Sequence, residues 1–314
     1  MSSSKKTAVP AVALLLFNRP ELTQRVVDEV VAAKPSAVYL IADGPRPDHP
    51  DDVALCRDVR RIATEAPWRG VVNTDFAETN LGLKRRVSSG LDAVFDKEER
   101  VIILEDDCLP DPSFFPFATE LLERYQNDER VGMISGNNFL WGTEVTPDSY
   151  FFSSDVRIWG WATWRRVWRD FSADGLNKTR RPSDISSLLQ SIASVPRRRS
   201  LGRIQRTSLA TSWAQPFLLH CLEWGYLNPT PRVNLVTNIG FGAVSTHTAF
   251  ESFTADVPRQ AMSFPLTHPA EVTEPDSLGV IESRANLRRW VTFPLRHPID
   301  FLGRVVRFLW RKLR

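Results

Sequence analysis

Residues 101–107 read Val-Ile-Ile-Leu-Glu-Asp-Asp, and this stretch decides the fold class that the sequence predicts. Four β-branched and aliphatic residues in a row are typical of a strand buried on both faces, as in a parallel sheet. Pro110 and Pro112 end that strand and favour a helix beginning near Ser113. The stretch therefore predicts one strand of a doubly wound α/β fold, with three carboxylates at its carboxyl end.

The three acids Glu105, Asp106 and Asp107 predict a cation site. Adjacent carboxylates repel one another, so the cluster is costly unless a cation or a donor-rich ligand compensates. Hard oxygen ligands favour Mg²⁺ or Mn²⁺ and, through the metal, a diphosphate. The alternative interpretation is a solvated acidic turn after a strand.

The chain on either side supports a parallel sheet up to about residue 136, because strand and helix patterns alternate there. Beyond that point we expect a helix over 207–226, a strand over 229–238 and an irregular segment over 251–283. The predicted elements of the first part are strands at 12–17, 37–42, 70–73 and 131–135, and helices at 20–33, 53–62, 82–95 and 113–125.

Composition indicates the class of protein but does not indicate what the protein binds. With 314 residues, 42% of them hydrophobic and 25% charged, the chain is typical of a globular protein, and its net charge of +3 says little. Three widely spaced cysteines predict a reducing cytosol and no disulfide framework. The apolar run at 8–17 is interrupted by Pro10 and too short for a bilayer, so we expect no transmembrane segment.

Polar side chains follow the ends of the predicted strands. Asn18 and Arg19 follow the first strand, Asp43 follows the second, and 80–86 (Asn-Leu-Gly-Leu-Lys-Arg-Arg) opens a helix. A glycine, basic groups and a helix N-terminus suit an anionic diphosphate. Each feature also has a structural explanation: a helix cap for Asn18, a surface cation for Arg19 and a solvated face for residues 84–86.

Six motifs in this order resemble bacterial glycosyltransferase family 2-like proteins of the GT-A superfamily. More remotely, they are similar to eukaryotic β-1,2-N-acetylglucosaminyltransferases that carry a Glu-Asp-Asp motif. The resemblance covers roughly residues 8–250 and implies a Rossmann-like nucleotide-sugar-binding half merged with an acceptor-binding half. The motifs are Phe-Asn-Arg-Pro (17–20), Ala-Asp-Gly-Pro (42–45), Asn-Leu-Gly (80–82), Arg-Arg-Val-Ser-Ser-Gly (85–90), Ile-Leu-Glu-Asp-Asp-Cys (103–108) and Trp-Gly-Trp-Ala-Thr-Trp (159–164).

The resemblance implies a nucleoside diphosphate sugar as co-substrate and Mn²⁺ or Mg²⁺ as cofactor. Asp107 would bind the metal and Asp106 would lie near the ribose or sugar, while Asp43 would meet the nucleobase. His247 is a candidate to complete the metal shell, although a lone histidine in a Thr-rich loop more often has a structural role. The other nucleotide-sugar-binding residues implied are Asn18, Arg19, Lys84, Arg85 and Glu105.

Tryptophans are candidates for packing against the C–H faces of a donor or acceptor sugar. We expect Trp159 and Trp161 near the site, with Trp213 beside them, whereas Trp164 and Trp168 fit the packing face of a helix in the core.

An inverting enzyme of this kind needs a carboxylate base, and Ala214 stands where the resemblance places an acid. Asp155 and Glu223 are the candidates that remain, unless the base comes from an unaligned loop or turnover is weak or absent.

The basic C-terminal tail, 284–314, has an apolar stripe typical of a helix at an anionic membrane surface, or of one packed on the domain. Nucleic-acid binding is not expected, because no reader motif accompanies the charge. A membrane contact would place the protein at the inner face of the cell membrane, with a lipid-linked acceptor and a role in polysaccharide biosynthesis.

These observations together predict a cytoplasmic, metal-dependent, inverting glycosyltransferase that uses a glycan or lipid-linked acceptor. The alternatives are a catalytically weak nucleotide-sugar or glycan-binding scaffold and a sugar nucleotidyltransferase. The predicted organisation is a disordered N-terminus (1–7), a nucleotide-sugar-binding half (8–136), an acceptor-binding half (137–250), a wrapping segment (251–283) and the basic tail (284–314).

Overall fold

The computed structural model of the protein describes residues 8–140, 143–171, 212–240, 257–285 and residue 287. The expectations for residues 1–7, for His247 and for nearly all of the basic tail lie outside this part of the chain.

The described elements follow the predicted alternation. The strands are β1 (Ala11–Leu16), β2 (Ala37–Ala42), β3 (Val71–Phe76), β4 (Arg100–Glu105), β5 (Cys108–Pro110), β6 (Met133–Ser135), β7 (Tyr150–Ser153), β8 (Trp161–Trp164), β9 (Asn228–Pro231) and β10 (Val236–Asn238). The helices are α1 (Pro20–Ala33), α2 (Asp52–Glu65), α3 (Leu83–Phe95), α4 (Phe114–Arg124), α5 (Arg165–Asp170) and α6 (Ala214–Glu223).

A six-stranded, mostly parallel sheet in the order β3-β2-β1-β4-β8-β6 forms the centre of the fold. Strands β1 to β4 pair in parallel. Strand β8 runs antiparallel between β4 and β6. The protein thus has a mixed α/β, Rossmann-like architecture, which confirms the predicted fold class.

The core lies on both faces of the central strands. All four residues from Val101 to Leu104 are 0% exposed, as the continuous apolar run predicts. Helix α1 buries a stripe at Val26, Val27 and Val30, which is the spacing of one helix face. Each such side chain contributes about 1.5–3 kcal/mol through burial.

Two predicted elements differ from the structure. Trp164 ends strand β8 opposite Arg100, and α5 begins only at Arg165, so Trp164 and Trp168 do not share a helix. Both are nevertheless in the core, as expected. The strand predicted over 229–238 is two strands, because β9 pairs with β7 and β10 pairs with β5.

The segment 257–285 packs along the outside of the domain and ends in a helix from residue 278, in place of a wholly irregular chain. The Arg259 guanidinium pairs with Glu29 of α1 at 2.7 Å. The Met262 amide donates to the Ser113 hydroxyl at 2.8 Å. These contacts attach residues 259–262 to α1 and to the residue before α4.

The three cysteines, Cys56, Cys108 and Cys221, are free and buried, in agreement with the absence of a disulfide framework. None of the helices in the described part of the chain has the length and apolar character needed to span a bilayer.

Candidate active site

The carboxyl ends of four parallel strands meet at one edge of the sheet. Leu15 lies opposite Glu105, Leu16 lies opposite Ala42, and Ala42 lies opposite Phe76. Because these strands end in register, the residues that follow them share one edge, where open α/β sheets bind ligands.

Asp106 and Asp107, at the end of β4, form a buried acidic site with Arg19. The two aspartates are 6% and 8% exposed. The Arg19 Nη1 atom lies 2.6 Å from Asp107 Oδ2 and 3.3 Å from Asp106 Oδ1. The Phe17 amide also donates to Asp106 Oδ2 at 3.2 Å. Ion pairs and a hydrogen bond thus connect the residues that follow β1 with those that follow β4.

The site holds more negative charge than its surroundings compensate. Burial, and then repulsion from Asp107, raises the pKa of the Asp106 carboxyl above its usual range. Burial followed by repulsion from the same two aspartates raises the pKa of Glu105. Because ionisation of both groups is opposed, a further cation at this edge would lower the free energy of the charged site.

Residues 239–240, just after β10, lie directly over Asp107. The Ile239 amide donates to the Asp107 carbonyl at 2.8 Å. A Cβ atom at Gly240 would lie 2.3 Å from Asp107 Oδ2, which real structures do not allow. Only glycine therefore fits at position 240. The sequence alone does not show this requirement, because it arises from the pairing of β10 with β5.

The carboxylates at this edge fit a metal ion that is bound partly by the protein and partly by a substrate. They do not form a site in which the protein supplies every ligand. In the described residues, no group of three His, Cys, Asp or Glu side chains is arranged to hold a metal ion. Asp107 Oδ1 accepts a long contact from the Cys108 thiol, at 3.5 Å. One or two carboxylates completed by phosphate oxygens is a usual arrangement for Mg²⁺.

Asp43 fastens the 80–82 loop to the end of β2. Its Oδ1 accepts from the amides of Gly44 and Leu81, both at 2.8 Å. Its Oδ2 accepts from the Gly82 amide at 3.1 Å and from the Asn80 side chain at 3.2 Å. The contact of Asp43 with a nucleobase stays a prediction, whereas its role in holding this loop is a feature of the structure.

Lys84 and Arg85 lie in the first turn of α3, which follows the 80–82 loop. Lys84 is half-buried and Arg85 is exposed. Arg86 is different, since it is buried and pairs with Asp75 at the edge strand β3. For Lys84 and Arg85 the contact with a phosphate stays a prediction.

Three residues beside Asn18 were not identified from the sequence. The Asn18 side-chain amide nitrogen, Nδ2, donates to Asp52 Oδ1 at 2.7 Å, and the Arg46 Nε atom lies 2.6 Å from Asp52 Oδ2. The Arg46 guanidinium also lies over the Phe17 ring, 5.3 Å from its centroid. The hydrogen bonds from Arg46, partly offset by burial, lower the pKa of Asp52 to about 2.

The tryptophans divide differently from the prediction. Trp161 and Trp213 are 0% and 1% exposed, and their rings stack at 5.5 Å. With both rings inside the core, neither presents a face to a sugar. Trp159 is half-buried, its amide donates to Asn137 Oδ1, and its ring meets Phe139 edge-on. A sugar contact stays a prediction for Trp159.

The base candidates have distinct surroundings. Asp155 is half-buried and pairs with the Arg157 Nε atom at 3.3 Å. Glu223 is exposed at the last residue of α6. Ala214 begins that helix directly after Trp213. For both acids the role of base stays a prediction.

No protein-family model and no curated protein matches the chain. The solved structures that are similar to it include two of low identity. A UDP-glucose pyrophosphorylase complexed with UDP-glucose is 10% identical, with a TM-score of 0.34, over 73% of this chain and 93% of that chain. A mannosyltransferase from Pyrobaculum calidifontis in complex with GDP-Man and Mn²⁺ is 14% identical, with a TM-score of 0.36, over 69% and 68%. Both are nucleotide-sugar enzymes, but these TM-scores are too low to carry a functional conclusion.

Proposed function

We propose that the protein is a metal-dependent glycosyltransferase of the GT-A type that uses a nucleoside diphosphate sugar. The observation that carries the proposal is the pair of buried carboxylates, Asp106 and Asp107, at the ligand-binding edge of a mostly parallel sheet. Their negative charge, which Arg19 compensates only in part, favours a divalent cation, and the neighbouring basic residues favour the phosphates that such a cation bridges.

The residues divide by role around the diphosphate. Asp107 would hold Mn²⁺ or Mg²⁺, which supplies charge stabilisation for the departing nucleoside diphosphate. Arg19, Lys84 and Arg85 would bind phosphate oxygens, because guanidinium and ammonium groups pair well with them. Asp106 would face the ribose or sugar, and Trp159 would pack on a sugar ring.

The acceptor side of the proposal is an inverting transfer to a glycan or lipid-linked hydroxyl. It depends on a base, for which Asp155 and Glu223 are the candidates. His247 would be a second metal ligand beside Asp107. A membrane contact through the basic tail is part of the same proposal and would bring a lipid-linked acceptor within reach.

A thermal-shift panel of nucleoside diphosphate sugars, each with and without Mn²⁺, tests the proposal. A ligand that binds the folded protein raises the melting temperature by mass action. We expect a rise with one class of donor that is larger in Mn²⁺. Asp107→Asn should remove the Mn²⁺-dependent part, lowering metal affinity at least about tenfold, or ~1.4 kcal/mol.

Asp96→Asn is the matched control, since Asp96 is an exposed acid at the end of α3. It should keep the full response. An unchanged Mn²⁺-dependent rise in Asp107→Asn would show that the metal assignment is wrong.

Ala214 favours a second candidate function, a scaffold that binds nucleotide sugars without transferring them. The two functions differ in diphosphate release. A transferase should release a nucleoside diphosphate from its donor in Mn²⁺, at least slowly to water, whereas a scaffold should release none.

A further inference from the structure

Arg19 occupies the position in which the acidic site needs a cation. A single nitrogen, Nη1, contacts both Asp106 and Asp107. The side chain of Arg19 is 14% exposed, and those of the two aspartates are 8% and 11% exposed. In a site this poorly hydrated, an aspartate that loses its cation is left strongly destabilised.

The backbone at Arg19 is held while its side chain remains long and rotatable. Pro20 begins α1, and both the Thr23 amide and the Thr23 hydroxyl donate to the Arg19 carbonyl, at 2.9 Å and 2.8 Å. A guanidinium offers five donors and binds phosphate as readily as carboxylate. Side-chain rotations alone can therefore move the charge from the aspartates to a nearby anion.

Arg19 contacts Oδ2 of Asp107, and the same carboxylate would bind the metal. A divalent cation placed against Asp107 would lie close to the guanidinium, and like charges at that separation repel. Metal and Arg19 cannot both keep the full interaction with this carboxylate. A diphosphate, in contrast, gives the displaced guanidinium a new anionic partner.

On the basis of the proposed function, we propose that Arg19 is an internal counterion that competes with the metal for Asp107 and moves to the diphosphate when nucleotide binds. Metal alone then binds weakly, because it must displace Arg19 from two carboxylates without supplying an anion in exchange. Metal and nucleoside diphosphate bind with positive coupling, and the coupling is the same from either ligand's side.

The test is Mn²⁺ binding to the full-length protein, followed through the electron paramagnetic resonance signal of free Mn²⁺, with and without UDP or GDP. Arg19→Gln removes the charge and keeps most of the length. We expect it to bind Mn²⁺ alone about tenfold tighter than the unchanged protein, the effect of removing one charge-assisted contact. The nucleotide should then add less Mn²⁺ affinity than it does in the unchanged protein.

Arg130→Gln is the matched control. Arg130 is 63% exposed and pairs with Asp128, which lies between α4 and β6. Its loss should leave Mn²⁺ binding and the nucleotide coupling unchanged.

Arg19→Lys keeps the result decisive if Arg19→Gln does not fold. The lysine ammonium ends one bond short of the position of Arg19 Nη1 and so does not reach both carboxylates from the same backbone. Mn²⁺ alone should therefore bind about threefold tighter than to the unchanged protein. The melting temperature should also rise more on Mn²⁺ addition in either Arg19 variant.

Equal or weaker Mn²⁺ binding in the folded Arg19 variants overturns the counterion role and leaves the proposed function standing, provided that Asp107→Asn abolishes the binding. If the unchanged protein binds neither Mn²⁺ nor nucleotide under any condition, the proposed function is itself wrong and the counterion role falls with it.

Discussion

At the scale of single residues, the site is organised by pairs of an arginine with buried aspartates. Arg19 reaches Asp106 and Asp107, and Arg46 reaches Asp52, which also holds Asn18. In each pair an aspartate that is nearly excluded from solvent depends on an arginine for compensation. The pairs therefore contribute to stability as well as to the shape of the site.

Asp52→Asn should cost about 2 kcal/mol of unfolding free energy at pH 7. The pKa of Asp52 is lowered in the folded state, so its contribution is present above the unfolded pKa near 3.8 and is lost as the pH falls towards about 2. The difference between the two proteins should accordingly shrink between pH 7 and pH 3, measured by urea denaturation.

Asp51→Asn is the control for this measurement, because Asp51 is the exposed neighbour and makes no side-chain cap hydrogen bond. It should leave the unfolding free energy nearly unchanged at both pH values. A constant difference for Asp52→Asn across the pH range would contradict the role of the ionised carboxylate.

At the scale of elements, the site depends on a strand that returns from far along the sequence. Strand β10 pairs antiparallel with β5, so that Asn238 lies opposite Cys108. This pairing brings Gly240 against the carboxylate of Asp107. The acidic edge is thus closed by β10 as well as by the four parallel strands.

Gly240→Ala should impair metal and nucleotide binding, because the added Cβ must displace either the Asp107 carboxylate or the end of β10. We expect Mn²⁺ affinity to fall roughly tenfold, or ~1.4 kcal/mol, in a calorimetric titration. Far-ultraviolet circular dichroism should be unchanged, since the glycine lies outside the regular elements.

Gly225→Ala separates binding from stability. Gly225 has φ +65° and open space around its Cβ position, so alanine there costs about 1–2 kcal/mol of stability through backbone strain. It should leave Mn²⁺ affinity as it was. Equal effects of the two substitutions on Mn²⁺ binding would contradict the proposed contact of Gly240 with the site.

At the scale of the whole molecule, the segment 257–285 connects distant parts of the fold. The buried guanidinium of Arg157 is one of its attachments, since it pairs with Asp155 and also with Glu282, at 3.0 Å. Leu278 is buried beside Leu140 and Phe151. The segment therefore holds the region of Asp155 and Trp159 in place from outside.

Glu282→Gln should lower the unfolding free energy by about 1–3 kcal/mol, because it removes one of the two carboxylates that pair with an arginine whose side chain is 2% exposed. Glu271→Gln, at an exposed position of the same segment, should have little effect. Limited proteolysis should then cut the Glu282 variant within 257–285 faster than the control. Equal cleavage rates would show that this ion pair does not hold the segment.

Local sequence pattern predicted much of the central sheet. The strand at 37–42 and the helix at 20–33 have the predicted bounds, and the apolar run before Glu105 is a buried parallel strand. These features depend on periodicity and on prolines near their ends, which are properties of neighbouring residues. The tryptophans show the limit, because pattern alone did not distinguish the buried Trp161 from the half-buried Trp159.

The sequence by itself determined that a cluster of acids follows a buried strand and that basic and amide groups follow its neighbours. Only the tertiary structure decided which groups meet: Arg19 with Asp107, Gly240 with the same carboxylate, and Asp43 with the loop that follows β3. The physical reason is that strand periodicity and turn chemistry act over a few residues. The compensation of buried charge depends on contacts between residues as far apart as Asp107 and Gly240, which exist only once the sheet has formed.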